Sequence, residues 1–240
     1  MTALTAQTRT EVVLTLRRGE SLLLILAIPL LLLGFFSLVD VLPKGDFEHS
    51  VDFLVPGVLA LAIMSTGMVQ LAIGTSFERQ YGVLKRLGST PLGRPRLLAA
   101  KTASIIAVEV VQIVLVVGAG LALGWDPHLT AGVVPAVILG TIAFSGIGLL
   151  MAGLLRGEVT LAAANGLYLV LLLIGGMVVP LSELPEGLRW LAELLPSGAL
   201  AQALVGTMSE GGGVPAKAWI VLAVWAVAAP LAAARTFRWE

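Results

Sequence analysis

The sequence predicts an all-α polytopic membrane protein with six transmembrane helices, and three observations carry that prediction. Hydrophobic residues fill 58% of the 240 positions and charged residues only 12%, about half the share of roughly 25% usual in soluble domains. Mean hydropathy is +0.97. The apolar residues gather into six runs, each suited to a helix crossing a hydrocarbon core about 30 Å thick. Such a composition excludes a soluble globular domain and a disordered chain. Fifteen basic and fifteen acidic side chains leave no net charge, so no nucleic-acid-binding surface is expected. Cysteine is absent, which excludes disulfides, a thiolate metal site and a cysteine nucleophile.

Uncharged residues run over 21–39, 53–77, 129–155, 159–182 and 218–234, and a sixth run, 102–125, is interrupted only by Glu109. The first run is too long for the apolar part of a signal peptide, and no Ala-x-Ala-like site follows it, so it reads as a retained span. The last is short and is expected to use Lys217 and Arg235 as snorkelling ends. Basic residues set the orientation. Arg9, Arg17 and Arg18, then Arg79, Lys85, Arg86, Arg94, Arg96 and Lys101, then Arg156, Arg235 and Arg238 fall on one side, against Lys44, Arg189 and Lys217 on the other. The positive-inside rule makes the first side cytoplasmic and places both termini there. Trp125, Trp190 and Trp219 are expected at the outer boundary and Trp239 at the inner one.

The loops are unequal. Residues 124–130 and 156–158 are minimal connections, so spans three to five read as tight antiparallel neighbours. No loop has room for a soluble catalytic domain. Residues 4–20 repeat apolar side chains at Leu4, Thr8, Val12 and Leu16, the pattern of an amphipathic helix lying in the inner interface. Residues 77–101 place Phe77, Tyr81, Leu84 and Gly88 on one helical face, with Arg79, Lys85 and Arg86 on others. Pro91 ends that helix, because the residue before proline avoids the α region, and Pro95 can open the next. A short charged helix with an apolar stripe suits a groove on a partner. Between 182 and 216, Leu184, Leu188, Leu191 and Leu195 recur at helical spacing. Pro185 and Pro196 bound that helix, and a second apolar stretch, 198–205, follows. Both pieces are too short to span, and backbone at that depth must be covered by protein.

Polar residues inside the spans are the remaining signals. A charged Glu109 costs at least about 2.5 kcal/mol in the membrane, and it shares a helical face with Thr102 and Gln112. It either lines a path, touching a cationic substrate, or bonds a neighbouring span. Gln70 with Thr66, and Asn165, read as interhelical hydrogen-bonding groups. The pairs Gly120/Gly124 and Gly153/Gly157 read as points of close helix approach. Among the prolines, only Pro29 and Pro230 clearly sit within a run. His49 and His128 fall in outer loops and read as solvated, so no metal site is expected. A membrane-embedded enzyme would need several polar groups converging at one depth, and no catalytic residue is assigned.

These features in this order resemble the permease of an ABC transporter of the ABC-2 (type V exporter) class. The pattern is carried by Glu78, Gly82, Leu84 and Leu87, then Thr90-Pro91-Leu92, Arg94 and Lys101, and by Pro180, Leu184-Pro185 and Leu195-Pro196 before the last span. Proline at position 29 also fits. The chain is most similar to small bacterial drug-resistance permeases of the daunorubicin-exporter type; Val83 departs from the threonine many of them carry. The resemblance implies one transmembrane domain over 1–240. Within it, 4–20 would be a connecting helix, 77–91 a coupling helix and 182–213 an outer re-entrant region. It implies an ATPase-coupling set of Glu78, Arg79, Tyr81, Gly82, Leu84, Lys85 and Leu87. The polar residues inside the spans, Glu109, Gln112 and Gln70, are the path-lining candidates. The resemblance also implies a second permease chain, identical or different, and a separate ABC ATPase subunit holding ATP and Mg²⁺. This sequence has no G-x-x-x-x-G-K-[ST] phosphate loop of its own. The expected location is the bacterial inner membrane. The alternative is an ion-driven secondary transporter with Glu109 as its proton site.

Overall fold

The computed structural model describes residues 19–39, 47, 49–88, 94–209 and 212–237. The predicted interfacial helix over 4–20 lies outside them except for Gly19 and Glu20, which open the first helix. Thr90-Pro91, Glu210, Arg238 and Trp239 also lie outside the described residues. In chain order the helices are α1 (Gly19–Leu38), α2 (Ser50–Gln80), α3 (Val83–Gly88), α4 (Arg94–Ala122), α5 (Val133–Leu154) and α6 (Gly157–Ile174). A 3₁₀ turn at Leu181–Glu183 precedes α7 (Glu186–Leu194), α8 (Pro196–Met208) and α9 (Ala216–Thr236).

Five helices are long and apolar enough to cross a membrane: α2, α4 over Ala100–Ala122, α5, α6 and α9. The first, α1, has 20 residues, about 30 Å at 1.5 Å per residue, and is apolar over Ala27–Leu38. The chain is therefore an all-α polytopic membrane protein, as its composition predicts.

Helix α2 is the hub. Its apolar window is 83% buried, against 22% for α6, and α1, α4, α5, α6 and α8 all pack on it. Its first half presents Leu54, Val55, Val58, Leu59, Leu61 and Met64 to the core. A helix apolar all round must be enclosed, and α2 reads that way. It carries Pro56 inside the helix, a third intrahelical proline beside Pro29 and Pro230. Midway, Ser65–Gln70 widens into a π-turn.

Several expectations are corrected. One continuous helix over 77–88 does not form: α2 runs on to Gln80, and Gly82 adopts φ +74° before α3 begins. Tyr81 N–H donates to Phe77 O and Gly82 N–H to Arg79 O, a helix ending that needs a residue tolerant of positive φ. The break separates Tyr81, exposed, from Leu84, fully buried, so they do not share a stripe. Spans three to five are sequential, but α5 makes its most extensive contact with α9. A short loop fixes direction, whereas small side chains decide how closely helices approach. Neither glycine pair lies on one helix, since Gly124 is in the turn after α4 and Gly153 and Gly157 belong to α5 and α6, but Gly120, Gly153 and Gly157 are points of close approach, to Val55, Phe237 and Gln80. Trp125 is buried in the core rather than placed in an interfacial belt; Trp190 is exposed. Asn165 bonds Leu161 O on its own helix and is exposed, so it ties no second span. Pro196 both follows α7 and opens α8, which is buried along nearly its whole length.

The α5–α9 contact depends on Gly146, where a Cβ would lie 2.5 Å from Pro230 N and 2.8 Å from Ala229 C. Gly146→Ala therefore forces backbone apart and is expected to cost about 1–3 kcal/mol. Gly118, with open space around its Cα, should accept alanine with no loss. Thermal unfolding of the two variants in detergent measures the contrast.

Candidate functional site

At one end of the bundle α2 stops, and its last turn, with the α2–α3 turn, is tied to two neighbouring spans. Arg79 Nη1 donates to Gly153 O and Nη2 to Leu155 O, both at 2.5 Å. These are among the last carbonyls of α5, which lack partners within their own helix. A guanidinium fork suits two such acceptors at once, and its positive charge complements the helix C-terminus. One residue earlier, Glu78 Oε2 pairs with Lys101 Nζ at 2.5 Å, joining α2 to the first turns of α4. The Lys101 side chain is 3% exposed, and a buried ammonium needs such a partner. Phe77 and Tyr81 stack with ring centroids 6.1 Å apart.

Beyond these ties the chain turns outward. Tyr81 is 71% and Val83 40% exposed, Lys85 is exposed, and Leu84 plugs inward at 0%. The predicted coupling set thus divides. Glu78, Arg79 and Leu84 face the protein, Tyr81 and Lys85 face away, and Gly82 makes the turn between them. Leu87 lies in α3, its side chain outside what is described. Sequence reasoning named Lys101 only as part of a pattern; 23 positions separate it from Glu78, and no local spacing shows that they meet. It likewise missed Gly153 and Leu155, because backbone carbonyls carry no sequence signal.

Within the membrane, α2, α4 and α5 share two polar rungs. Thr141 Oγ1 donates to Glu109 Oε2 at 2.5 Å, and Thr66 Oγ1 donates to Gln112 Oε1 at 2.8 Å. Glu109 and Gln112 are 2% and 1% exposed, so the predicted polar face of α4 turns into the protein. Glu109 Oε1, Gln70 Oε1 and Ser145 Oγ are buried with no hydrogen-bond partner among the described residues. Thr66 makes an interhelical bond as expected, to Gln112, whereas Gln70 Oε1 finds no partner among the described residues. For Glu109 the structure supplies the bond to a neighbouring span.

The opposite end holds a cavity of about 1000 Å³ bordered by His49, Asp52, Asp126, His128, Arg189 and Lys217. Beside it, Glu193 Oε2 accepts from Lys217 Nζ at 2.8 Å and its Oε1 pairs with Arg189 Nε at 3.4 Å, clasping α7 to the start of α9. Trp225 Nε1 donates to Leu194 O and closes the same seam. The hydrogen bond from Lys217 holds the Glu193 carboxyl below the usual glutamate range; partial burial opposes this and Arg189 adds to it. Among the described residues, no group of three or more His, Asp or Glu is placed to hold a metal.

Membrane-length apolar helices around a buried hub, with one sharp loop pinned at a basic end, define a multi-pass all-α membrane protein. The model of the family described as ABC-2 type transporter matches residues 2–209. The chain belongs to that family and is a transmembrane permease component of an ABC transporter. No curated protein matches it. The family does not favour the ion-driven alternative.

Two outcomes follow. Thr141→Val leaves both Glu109 oxygens without a protein partner and should cost about 1–3 kcal/mol, read as a lowered unfolding midpoint that Thr141→Ser restores. A carboxyl held low contributes its clasp above the ordinary glutamate pKa, near 4.3, and loses it as pH falls through the lowered value. Amides of 186–194 should therefore exchange faster in acid than intrinsic rates predict, and Glu193→Gln should remove that step.

Proposed function

We propose that this permease works in an ATP-driven exporter, pairs with a second permease chain to enclose the path, and docks on a separate ABC ATPase through Tyr81, Val83 and Lys85. The observation that carries the reading is the exposure of Tyr81 and Val83 on a turn whose flanking residues, Glu78, Arg79 and Leu84, are anchored inward. An exposed aromatic and a β-branched side chain beyond the charged end of a span, flanked by a lysine, suit a groove on a water-soluble partner. ATP and Mg²⁺ would be held by that partner. Closure of its two ATPase units would press on the paired turns and shift the spans between two packings, opening the path alternately to each side. The basic end would then face the cytoplasm of a bacterial cell, with both termini there. Drug export is the subtype to which the sequence resemblance points.

Glu109, Gln112 and Gln70 remain the path-lining proposal. The burial of Glu109 and Gln112 between α2, α4 and α5 means that the path would reach these two only when those spans part.

The test is a mild-detergent purification of the tagged chain from its native membranes, with the co-purifying proteins identified. A P-loop ATPase in fixed ratio is expected, lost on joint Tyr81→Asp and Val83→Asp substitution while insertion is unchanged. A preserved complex without an ATPase refutes the docking role. In the same preparation Glu109→Gln should alter ATP turnover more than abundance; a fall in abundance alone assigns Glu109 to structure.

A further inference from the structure

The ties at the basic end have a mechanical consequence. Arg79 fastens the last turn of α2 to the terminal carbonyls of α5, and Glu78 fastens it to Lys101 of α4. Three helix ends are held on one side of the exposed turn. A force applied at Tyr81 and Val83 therefore cannot bend the turn alone; it moves the ends of α2, α4 and α5 together.

Ten residues up α2 from Gln80 the helix changes character. Ser65–Gln70 forms the π-turn, a wider turn that holds one surplus residue and is frequent at functional sites. On one side of it Thr66 bonds Gln112. On the other, the π-turn lies directly on α5 backbone: a Cβ at Gly148 would meet Met68 O at 2.7 Å and Gly67 O at 2.9 Å. With no side chain on Gly67 or Gly148 the two backbones approach closely there, and Phe144 of α5 packs beside Gly67. The helix below is fastened by charge, whereas the helix above is fastened by close apolar packing. Between them lies a close backbone crossing and a turn with a residue to spare.

We propose that Arg79, Glu78 and Lys101 are positioning residues that lock the docking turn to the ends of α5 and α4, and that the Ser65–Gln70 π-turn is the joint that takes up the displacement by sliding on the glycine face of α5. This rests on the reading of Tyr81, Val83 and Lys85 as the ATPase dock. Arg79 acts through α5 and makes no contact with the ATPase. Its two-carbonyl fork is the feature lysine cannot reproduce.

The chain has no cysteine, so an introduced pair meets no competing thiol. A Cβ at Gly67 would lie 3.2 Å from Phe144 Cβ, close to the roughly 3.5–4.5 Å of a disulfide. The Gly67→Cys, Phe144→Cys chain, purified with its ATPase, pins the joint when oxidised. ATP turnover is expected to fall at least about tenfold on oxidation and to recover with reductant. Undiminished turnover by the fully cross-linked complex overturns the joint. Arg79→Lys tests the lock independently: the ATPase should still co-purify while turnover falls several-fold. Loss of the ATPase from Arg79→Lys would make Arg79 part of the dock, and unchanged turnover would make it dispensable; either overturns the lock. Should the cysteine pair fail to insert, Gly148→Ala, whose Cβ would meet Met68 O at 2.7 Å, obstructs the same crossing and should lower turnover several-fold; unchanged turnover overturns the joint. An ATPase that never joins the unaltered chain refutes the docking assignment instead, a separate and recognisable failure.

Discussion

Hydrocarbon offers no partner to an N–H, a carbonyl or a carboxylate, and a helix satisfies only its own middle. Helix ends and polar side chains must then be served by neighbouring helices, and each connection described above answers that need. The final carbonyls of α5 are met by Arg79 of α2. Glu109 of α4 is met by Thr141 of α5, and Thr66 of α2 meets Gln112 of α4. Leu194 O at the end of α7 is met by Trp225 of α9. Polar groups that would be incidental in water become the specific ties between spans.

Apolar burial cannot supply that specificity, because lipid tails are as apolar as leucine. Close approach does it instead. Helix α5 carries Gly140 against Leu200, Gly146 against Pro230 and Gly148 against the α2 backbone. Those contacts draw α8, α9 and α2 around one helix. The α5–α9 contact is accordingly greater than that between α5 and either of its sequence neighbours. Helix α8, too short to span, is tolerated at depth because it is buried in protein and its C-terminal carbonyls are used: Thr130 N–H and Oγ1 both donate to Thr207 O.

The two ends of the molecule are stiffened differently. At the basic end the ties are part-buried, with the Lys101 side chain 3% exposed, and such pairs are screened less by salt than exposed ones. At the opposite end the Glu193 clasp is partly exposed and therefore weaker and screened.

Much was legible in the sequence because the responsible quantity is additive along the chain. Uncharged runs located α2, α5, α6 and α9, prolines marked both ends of α7, and the spacing of Glu109 and Gln112 placed both on one buried face. Where the reading failed, a single backbone angle or a distant partner decided. Phe77, Tyr81 and Leu84 have helical spacing, but positive φ at Gly82 ends the helix between them. Trp125 has the composition of an interfacial anchor, but the turn after α4 folds it into the core. Asn165 has the chemistry of an interhelical tie, but its helix presents it outward.

The sequence by itself determined that this chain lives in a membrane, which segments cross it and which family it resembles, since hydropathy, length and motif order are properties of the string. Tertiary structure alone decided which way the predicted coupling residues face. Glu78 and Arg79 were equally eligible to face a partner or the protein. Only the arrival of Lys101 and of two α5 carbonyls beside them turned both inward and left Tyr81, Val83 and Lys85 as the exposed surface. The reason is physical: a charge goes where its counter-charge or an unsatisfied carbonyl is, and long-range packing sets that position.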